Sequence, residues 1–370
     1  MLYFDNAATT FPKPPSVCQS VANAISRLGG NPGRGGHSYS QRAAEVVYSC
    51  REEAAKLFHA SPENVIFTQN CTHALNLAIK GACPKPCRIV TSSYEHNSVA
   101  RPCYKLALQG YDVQVAPVKA TDEETLSEFA KLINSDTHLV VCTAASNVTG
   151  RALPIREIST LCKAVGAIFI VDAAQAAGVL NVTLDDCNIL CMPGHKGLYG
   201  PTGTGLLITD GTPLDTLIEG GTGATSMELD QTPLNPEHLE SGTLNTVGIA
   251  GLLSGIRFVE GLGLARIHSY EESLCNIFSE GIKSFSTLYE AGDSPIVSFN
   301  LEGIDPSALA NALGDRGYAL RGGLHCAPLT HITLGTAPIG TVRFSPSVYS
   351  REKDVISLVN TLKNISKRGI

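Results

Sequence analysis

One stretch limits what this chain can become: Cys191-Met192-Pro193-Gly194-His195-Lys196-Gly197-Leu198-Tyr199-Gly200-Pro201-Thr202-Gly203-Thr204-Gly205. An apolar run, Ile189-Leu190, leads into it, and another, Leu206-Leu207-Ile208, leaves it. A purely structural lysine ordinarily faces solvent. Lys196 stands instead among glycines, in a turn between two runs that read as buried strands. An amine in such a place can act as a nucleophile toward a carbonyl. The usual cofactor carbonyl is pyridoxal phosphate (PLP), whose ring nitrogen then needs an acid partner.

Upstream, Ala167-Ile168-Phe169-Ile170-Val171-Asp172-Ala173-Ala174-Gln175 is an apolar run of strand length that reaches Asp172. It reads as a buried parallel strand. Open α/β sheets bind ligands at the carboxyl ends of their strands, and strands close in sequence are commonly neighbours. Asp172 and Lys196 can then grip opposite sides of one ring, with His195 and Gln175 beside them. The alternative is an aspartate capping a helix and a lysine in a solvated turn. The four residues together favour the site.

The run Gly-His-Lys-x-x-Tyr-Gly-Pro-x-Gly, with Val171-Asp172-Ala173-Ala174-Gln175 upstream, resembles the class V aminotransferase superfamily of PLP enzymes. Within it, the chain resembles the cysteine desulfurase and selenocysteine lyase branch. The likeness runs from Phe4-Asp5-Asn6-Ala7-Ala8-Thr9-Thr10 to Arg343. It implies an α/β architecture, the PLP-dependent transferase fold type I. A large PLP-binding domain of mainly parallel sheet flanked by helices would span residues 15–264. A smaller α+β domain would combine residues 1–14 and 265–370.

The bulk properties fit that expectation. A chain of 370 residues is long enough for roughly two domains. A formal charge of −6 gives no pull toward nucleic acid or an anionic membrane. Met1-Leu2-Tyr3-Phe4-Asp5 has no basic region before an apolar core, and no apolar run reaches spanning length. The twelve cysteines are scattered and read as reduced thiols of a cytoplasmic protein, most of them small apolar fillers. Cys83-Pro84-Lys85-Pro86-Cys87 has no second pair at zinc spacing, so no metal is expected.

Strands alternate with helical patterns through the first half, the signature of parallel βαβ units. The turn after Asn64-Val65-Ile66-Phe67-Thr68 opens a helix. Free amides and the helix dipole there make an anion site. By the resemblance it holds the PLP phosphate through Cys71 and Thr72; plain N-capping by Thr72 is the alternative. Cys71 departs mildly from the family's usual residue. His96, after the strand from Arg88, resembles the histidine that stacks on the ring and moves protons, a task suited to an imidazole near neutrality. Asn147 resembles the asparagine that contacts the ring hydroxyl and the substrate carboxylate. Pro193 stands where the family commonly has a phosphate-binding serine, which shifts that duty to His195 and the backbone. Thr243 resembles the hydroxyl that reaches the phosphate of a partner subunit. Arg34, in the glycine-rich loop 29–37, resembles an arginine that reaches a neighbouring active site. Both imply a homodimer. Gly200 to Gly205 precedes a strand and does not open a helix, which argues against a dinucleotide site.

A second nucleophile lies in Arg321-Gly322-Gly323-Leu324-His325-Cys326-Ala327. Cys326 has Arg321 and His325 near it in sequence, a setting that can favour a thiolate; a buried filler cysteine is the alternative. The run resembles the Arg-x-Gly-x-His-Cys-Ala loop of Suf-type desulfurases, the short-loop variety. Arg343 offers a planar fork matched to a carboxylate and resembles the arginine that clamps the substrate. The resemblance implies that L-cysteine, or alternatively selenocysteine, is the substrate. Lys196 would move the α-proton and Cys326 would take the sulfur as a persulfide. An acceptor protein or thiol would collect it for iron–sulfur cluster assembly. Two other readings stay open. One is a different PLP reaction on the same scaffold (aminotransferase, selenocysteine lyase, C–S lyase or epimerase) with Cys326 incidental. The other is a non-catalytic scaffold protein.

Overall fold

A computed structural model describes residues 1–33, 35–222, 227–290 and 292–370. In chain order the elements are β1 (Leu2–Tyr3), α1 (Pro15–Arg27), α2 (Ser38–Phe58), β2 (Val65–Thr68), α3 (Cys71–Ala82), β3 (Arg88–Ser92), α4 (Asn97–Ala107), β4 (Asp112–Ala116), α5 (Asp122–Leu132), β5 (Thr137–Thr143), α6 (Ile155–Val165), β6 (Ile168–Asp172), β7 (Ile189–Pro193) and β8 (Gly205–Thr209). There follow α7 (Thr246–Leu262), α8 (Leu264–Ile282), β9 (Thr287–Tyr289), β10 (Val297–Asn300), α9 (Pro306–Asp315), β11 (Tyr318–Ala319), β12 (Arg321–Gly323), α10 (Pro328–Thr333), β13 (Thr341–Phe344) and α11 (Glu352–Arg368).

The central sheet has the order β2-β8-β7-β6-β5-β3-β4. Strands β4, β3, β5, β6 and β7 run parallel, while β8 is antiparallel to both β7 and β2. The sheet is therefore mixed but mostly parallel, and helices cover both faces. Successive side chains explain why. In β5, Val140 and Cys142 enter one core and Leu139 and Val141 the other. In β7, Leu190 and Met192 face the first core, Ile189 and Cys191 the second. An apolar side chain on each face at a period of two requires two covering layers.

The helices carry their own signals. A capping box, Thr121 with Glu124, starts α5, and Gly166 in the left-handed region ends α6. Helix α7 stops at Gly263 (φ 83°), where the chain bends by 81° into α8. Among the described residues no single helix is long and apolar enough to cross a membrane.

A second sheet, β12-β13-β10-β9, is antiparallel and packs with α8, α9 and α11 around Phe278, Phe299 and Phe344. Phe278 and Phe344 stack with centroids 4.1 Å apart. The amino terminus joins this layer: β1 pairs in parallel with β11, and Asp5 bridges to Ser345. Arg321-Gly322-Gly323, expected as loop, is strand β12, because β13 supplies backbone partners that outweigh the weak strand preference of glycine.

Candidate active site

The carboxyl ends of the parallel strands lie level. Thr143 pairs with Asp172, and Asp172 with Cys191. The turns leaving β2, β3, β5, β6 and β7 therefore converge on one place. A cavity of about 160 Å³ there is lined by Cys71, Thr72, His96, Asn147, Asp172, Gln175, His195 and Lys196, with Asn70, Ser98, Thr143 and Pro193 among the remaining walls. Eight side chains singled out from sequence thus share one space.

Lys196 leaves β7 on a turn that three neighbours hold rigid. The His195 carbonyl accepts from Thr9 Oγ1 (3.1 Å), the Thr10 amide (3.1 Å) and Lys13 Nζ (2.7 Å), all from the amino-terminal segment. A Cβ on Gly255 of α7 would meet the Leu198 carbonyl, so only glycine lets that helix approach the turn. Tyr199, with φ of 56°, sits in the left-handed region. Its Oη donates to Glu271 Oε1 at 3.2 Å and accepts from the Val348 amide at 3.2 Å. Burial, then the positive charge of Arg343, lowers the Lys196 pKa, while Asp172 opposes the shift. A lysine biased toward neutrality is the form that attacks a carbonyl.

Asp172 ends β6, and burial raises its pKa. Its Oδ1 accepts from the Ala174 amide at 2.9 Å and from the Cys71 thiol at 3.5 Å. Among the described residues no donor reaches Oδ2. The Cys71 thiol thus helps to orient the carboxylate. The first turn of α3 begins here, with Asn70 capping through a bond from the His73 amide. The Thr72 hydroxyl meets Ser98 Oγ at 2.7 Å.

His96 caps α4. Its Nδ1 accepts from the Ser98 amide at 3.0 Å, so any ring proton sits on Nε2. Burial first, then Lys196, Arg321, Arg343 and Arg101, hold its pKa down at about 4. The ordinary imidazole expected from sequence is thus absent; His96 is a neutral N–H donor at physiological pH. His195 is lowered to about 4 as well, by burial and then by Lys196.

Sequence reasoning missed Ser98 and Glu95. Ser98 stands two positions into α4, where capping signals could have drawn it out. Glu95 is fully buried: its Oε1 accepts from Ser92 Oγ and from the Thr143 amide at 2.9 Å, tying the ends of β3 and β5 together. Burial pushes its carboxyl up to about 8.

Four expected residues stand outside the cavity wall. Arg343, on β13, is 1% exposed, donates to the Asn147 carbonyl at 2.8 Å and to Asp5 Oδ1 at 2.8 Å, and keeps Nε without a partner. Arg321 lies opposite it across the ladder and points Nη2 at Cys326 Sγ, 3.7 Å away. Cys326 is exposed, with φ of 58°, and follows His325 at 47°. Two consecutive side chains in the left-handed region mark a loop held by its surroundings. The holding bonds reach the cavity's edge: the Asn97 amide donates to the Cys326 carbonyl at 2.8 Å, and Asn147 Nδ2 to the His325 carbonyl at 2.7 Å. Thr243 lies in a separate depression with Thr68, Glu240 and Asn245. Arg34 lies outside the described residues.

A mixed α/β sheet carrying a lysine and an acid at one cavity defines a class before it defines a protein. The chain belongs to the class-V aminotransferase family, whose model matches residues 2–358. Among its curated relatives, a probable cysteine desulfurase of Methanothermobacter thermautotrophicus is 31% identical over 383 residues, spanning 100% of this chain and 95% of its own. A probable cysteine desulfurase of Pyrococcus abyssi is 32% identical over 99% of this chain and 94% of its own. Among solved structures, the apo cysteine desulfurase of Thermococcus onnurineus has a TM-score of 0.91 at 32% identity, covering 99% of this chain and 94% of that one. The Escherichia coli cysteine desulfurase CsdA, in its S-sulfonic acid form, has a TM-score of 0.89 at 26% identity over the same shares.

Proposed function

We propose that the protein is a PLP-dependent cysteine desulfurase that converts L-cysteine to L-alanine and takes the sulfur on Cys326. The observation that carries this reading is one cavity holding Lys196, Asp172 and His96, with the Cys326 loop hydrogen-bonded to residues at its edge. The relatives named above support it.

The cavity's unmet polar groups fit PLP. Asn147 Oδ1 and His195 Nδ1 are buried without partners. The first turn of α3, at Cys71 and Thr72, offers amides to a phosphate. Asp172 Oδ2 is free for the ring nitrogen, and Gln175 lines the wall beside it. When bound, the cofactor supplies an electron sink for the charge left at the substrate's Cα.

The chain's residues do the rest. Lys196 Nζ holds the cofactor and then takes the Cα proton, since burial disfavours its charged form. Asp172 keeps the ring nitrogen protonated. Neutral His96 donates through Nε2. Asn147 spends its amide N–H on the His325 carbonyl, so its remaining acceptor suits the ring hydroxyl. The substrate carboxylate falls to Arg343, through its free Nε edge. Cys326 Sγ bonds to the substrate sulfur as the C–S bond breaks, leaving a persulfide beside Arg321. The carbon keeps the bonding electrons and is protonated to alanine.

The finer features belong to the same reading. Residues 15–264 form the large unit, and residues 1–14 with 265–370 the small one. The protein is a homodimer in which Thr243 and Arg34 serve the neighbouring site. Thr243 lies away from its own cavity, and the nearby loop exposes Leu229 and Leu234. Twelve free cysteines fit a reducing cytoplasm. A thiol or a protein collects the sulfur. The test is product analysis with L-cysteine under reductant: alanine and sulfide are expected, and keto acid without alanine would point to another reaction of the family. Repeating the assay with selenocysteine ranks the two substrates.

A further inference from the structure

Away from the cavity, two side chains are placed for chemistry that desulfuration does not use. Cys83 follows the last residue of α3, and Cys87 precedes β3, with Pro84-Lys85-Pro86 between them. Their sulfurs lie 3.3 Å apart, in contact but unbonded. Cys83 is buried and Cys87 half-buried, so the pair has one accessible member. The turn is fixed from two sides: Tyr111 Oη donates to the Cys83 carbonyl at 2.7 Å, and His138 Nε2 meets the Ala82 carbonyl at 2.8 Å. Among the described residues no group of three or more His, Cys, Asp or Glu could hold a metal ion, so the pair lacks the donors of a zinc site.

We propose that Cys83 and Cys87 are a modification site, a dithiol that small-molecule disulfides convert reversibly to an intramolecular disulfide and that trivalent arsenicals bridge. An S–S bond of about 2.05 Å requires the sulfurs, now 3.3 Å apart, to close by about 1.3 Å. Cys87, the more exposed, loses its proton and attacks one sulfur of the small disulfide, releasing one thiol. Cys83 then gives up its proton and attacks Cys87 Sγ, releasing the second thiol. Two electrons and two protons pass to the small disulfide, which becomes two thiols. Burial raises the pKa of Cys87 and, more strongly, of Cys83. The exchange is therefore slow near neutrality and gains about tenfold per pH unit while thiolate remains scarce.

The turn lies at the far end of α3 from the cavity, and neither thiol belongs to the proposed machinery. Failure of this inference thus leaves the desulfurase reading untouched. The full chain is incubated with glutathione disulfide at about pH 8.5, free thiols are alkylated, and the protein is digested with trypsin. Trypsin does not cut before Pro86, so both cysteines leave in one peptide, Gly81–Arg88. The expected peptide is unalkylated, two hydrogens lighter and restored by dithiothreitol. Phenylarsine oxide forms two As–S bonds with the pair, its oxide oxygen leaving as water with the two thiol protons. Cys87→Ser is expected to keep full activity under reductant and to lose that bridging adduct. A doubly alkylated Gly81–Arg88 peptide, in a sample whose exposed Cys18 and Cys326 carry glutathione, overturns the proposal. So does an arsenical adduct that persists in Cys87→Ser at the same stoichiometry.

Discussion

Replacing His96 by Asn should flatten the acid side of the stability profile. Asn Oδ1 can take the place of Nδ1 as the acceptor of the Ser98 amide, so the α4 cap survives. What disappears is the titration. His96 has a folded pKa of about 4 against 6.5 when unperturbed. Between those values the unfolded chain binds a proton that the folded chain refuses, so stability falls as pH falls. The full difference is about 3 kcal/mol; at pH 5 about 2 kcal/mol of it has been lost. Buried Glu95 and Glu271, both pushed up to about 8, act in the opposite sense: the folded chain keeps protons there that the unfolded chain releases, so they weaken the fold as pH rises from 4.5 through 8. They are common to both proteins and cancel in the difference. The assay is urea denaturation of the cofactor-free chain at pH 7 and pH 5. The His96→Asn protein should lose about 2 kcal/mol less than the parent. Equal losses would mean that His96 titrates normally in the fold, and its role as a neutral donor would fail with it.

Three further outcomes are expected. Cys326→Ser should bind the cofactor as the parent does but reduce sulfur transfer from L-cysteine to background, because the residue is exposed and its bonds to Asn97 use only backbone; unchanged transfer would make the thiol incidental. Glu240→Ala strands the buried Arg51 guanidinium, which Glu240 holds through two bonds of 2.9 and 2.6 Å, and should cost about 3–5 kcal/mol in urea denaturation; a loss below about 1 kcal/mol would show that water reaches the site. Gly255→Ala pushes a methyl against the Leu198 carbonyl and should cost about 1–3 kcal/mol, with weaker cofactor binding seen by absorbance titration; unaltered binding would separate α7 from the Lys196 turn.

Much of this site could be read from the sequence because short-range physics writes it there. Asp172, His96 and Lys196 each fall at or just past the carboxyl end of a strand readable from the sequence, and parallel strands deliver such residues to one edge. Strand β6 lies beside β7, as their closeness in sequence suggested. What stayed hidden depends on distant partners. Nothing near His195 announces that Thr9, Thr10 and Lys13 will clamp its carbonyl from the other end of the chain. The reversed direction of β8, between β2 and β7, follows from which edges remain open. Glycines at 322 and 323 spoke for a loop until β13 offered a ladder. The left-handed backbone at His325 and Cys326 is imposed by bonds from Asn147 and Asn97, which no local preference encodes. The low pKa of His96 comes from burial and from cations on the Lys196 turn, β12 and β13 as well as on its own helix α4.

The most direct test of the account is a single turnover with L-cysteine, read by intact mass and peptide mapping. One alanine per subunit and one sulfur atom added at Cys326, removable by reductant, is the predicted result. Alanine formed at the same rate with Cys326 unmodified, or sulfur carried only by another cysteine, would contradict it.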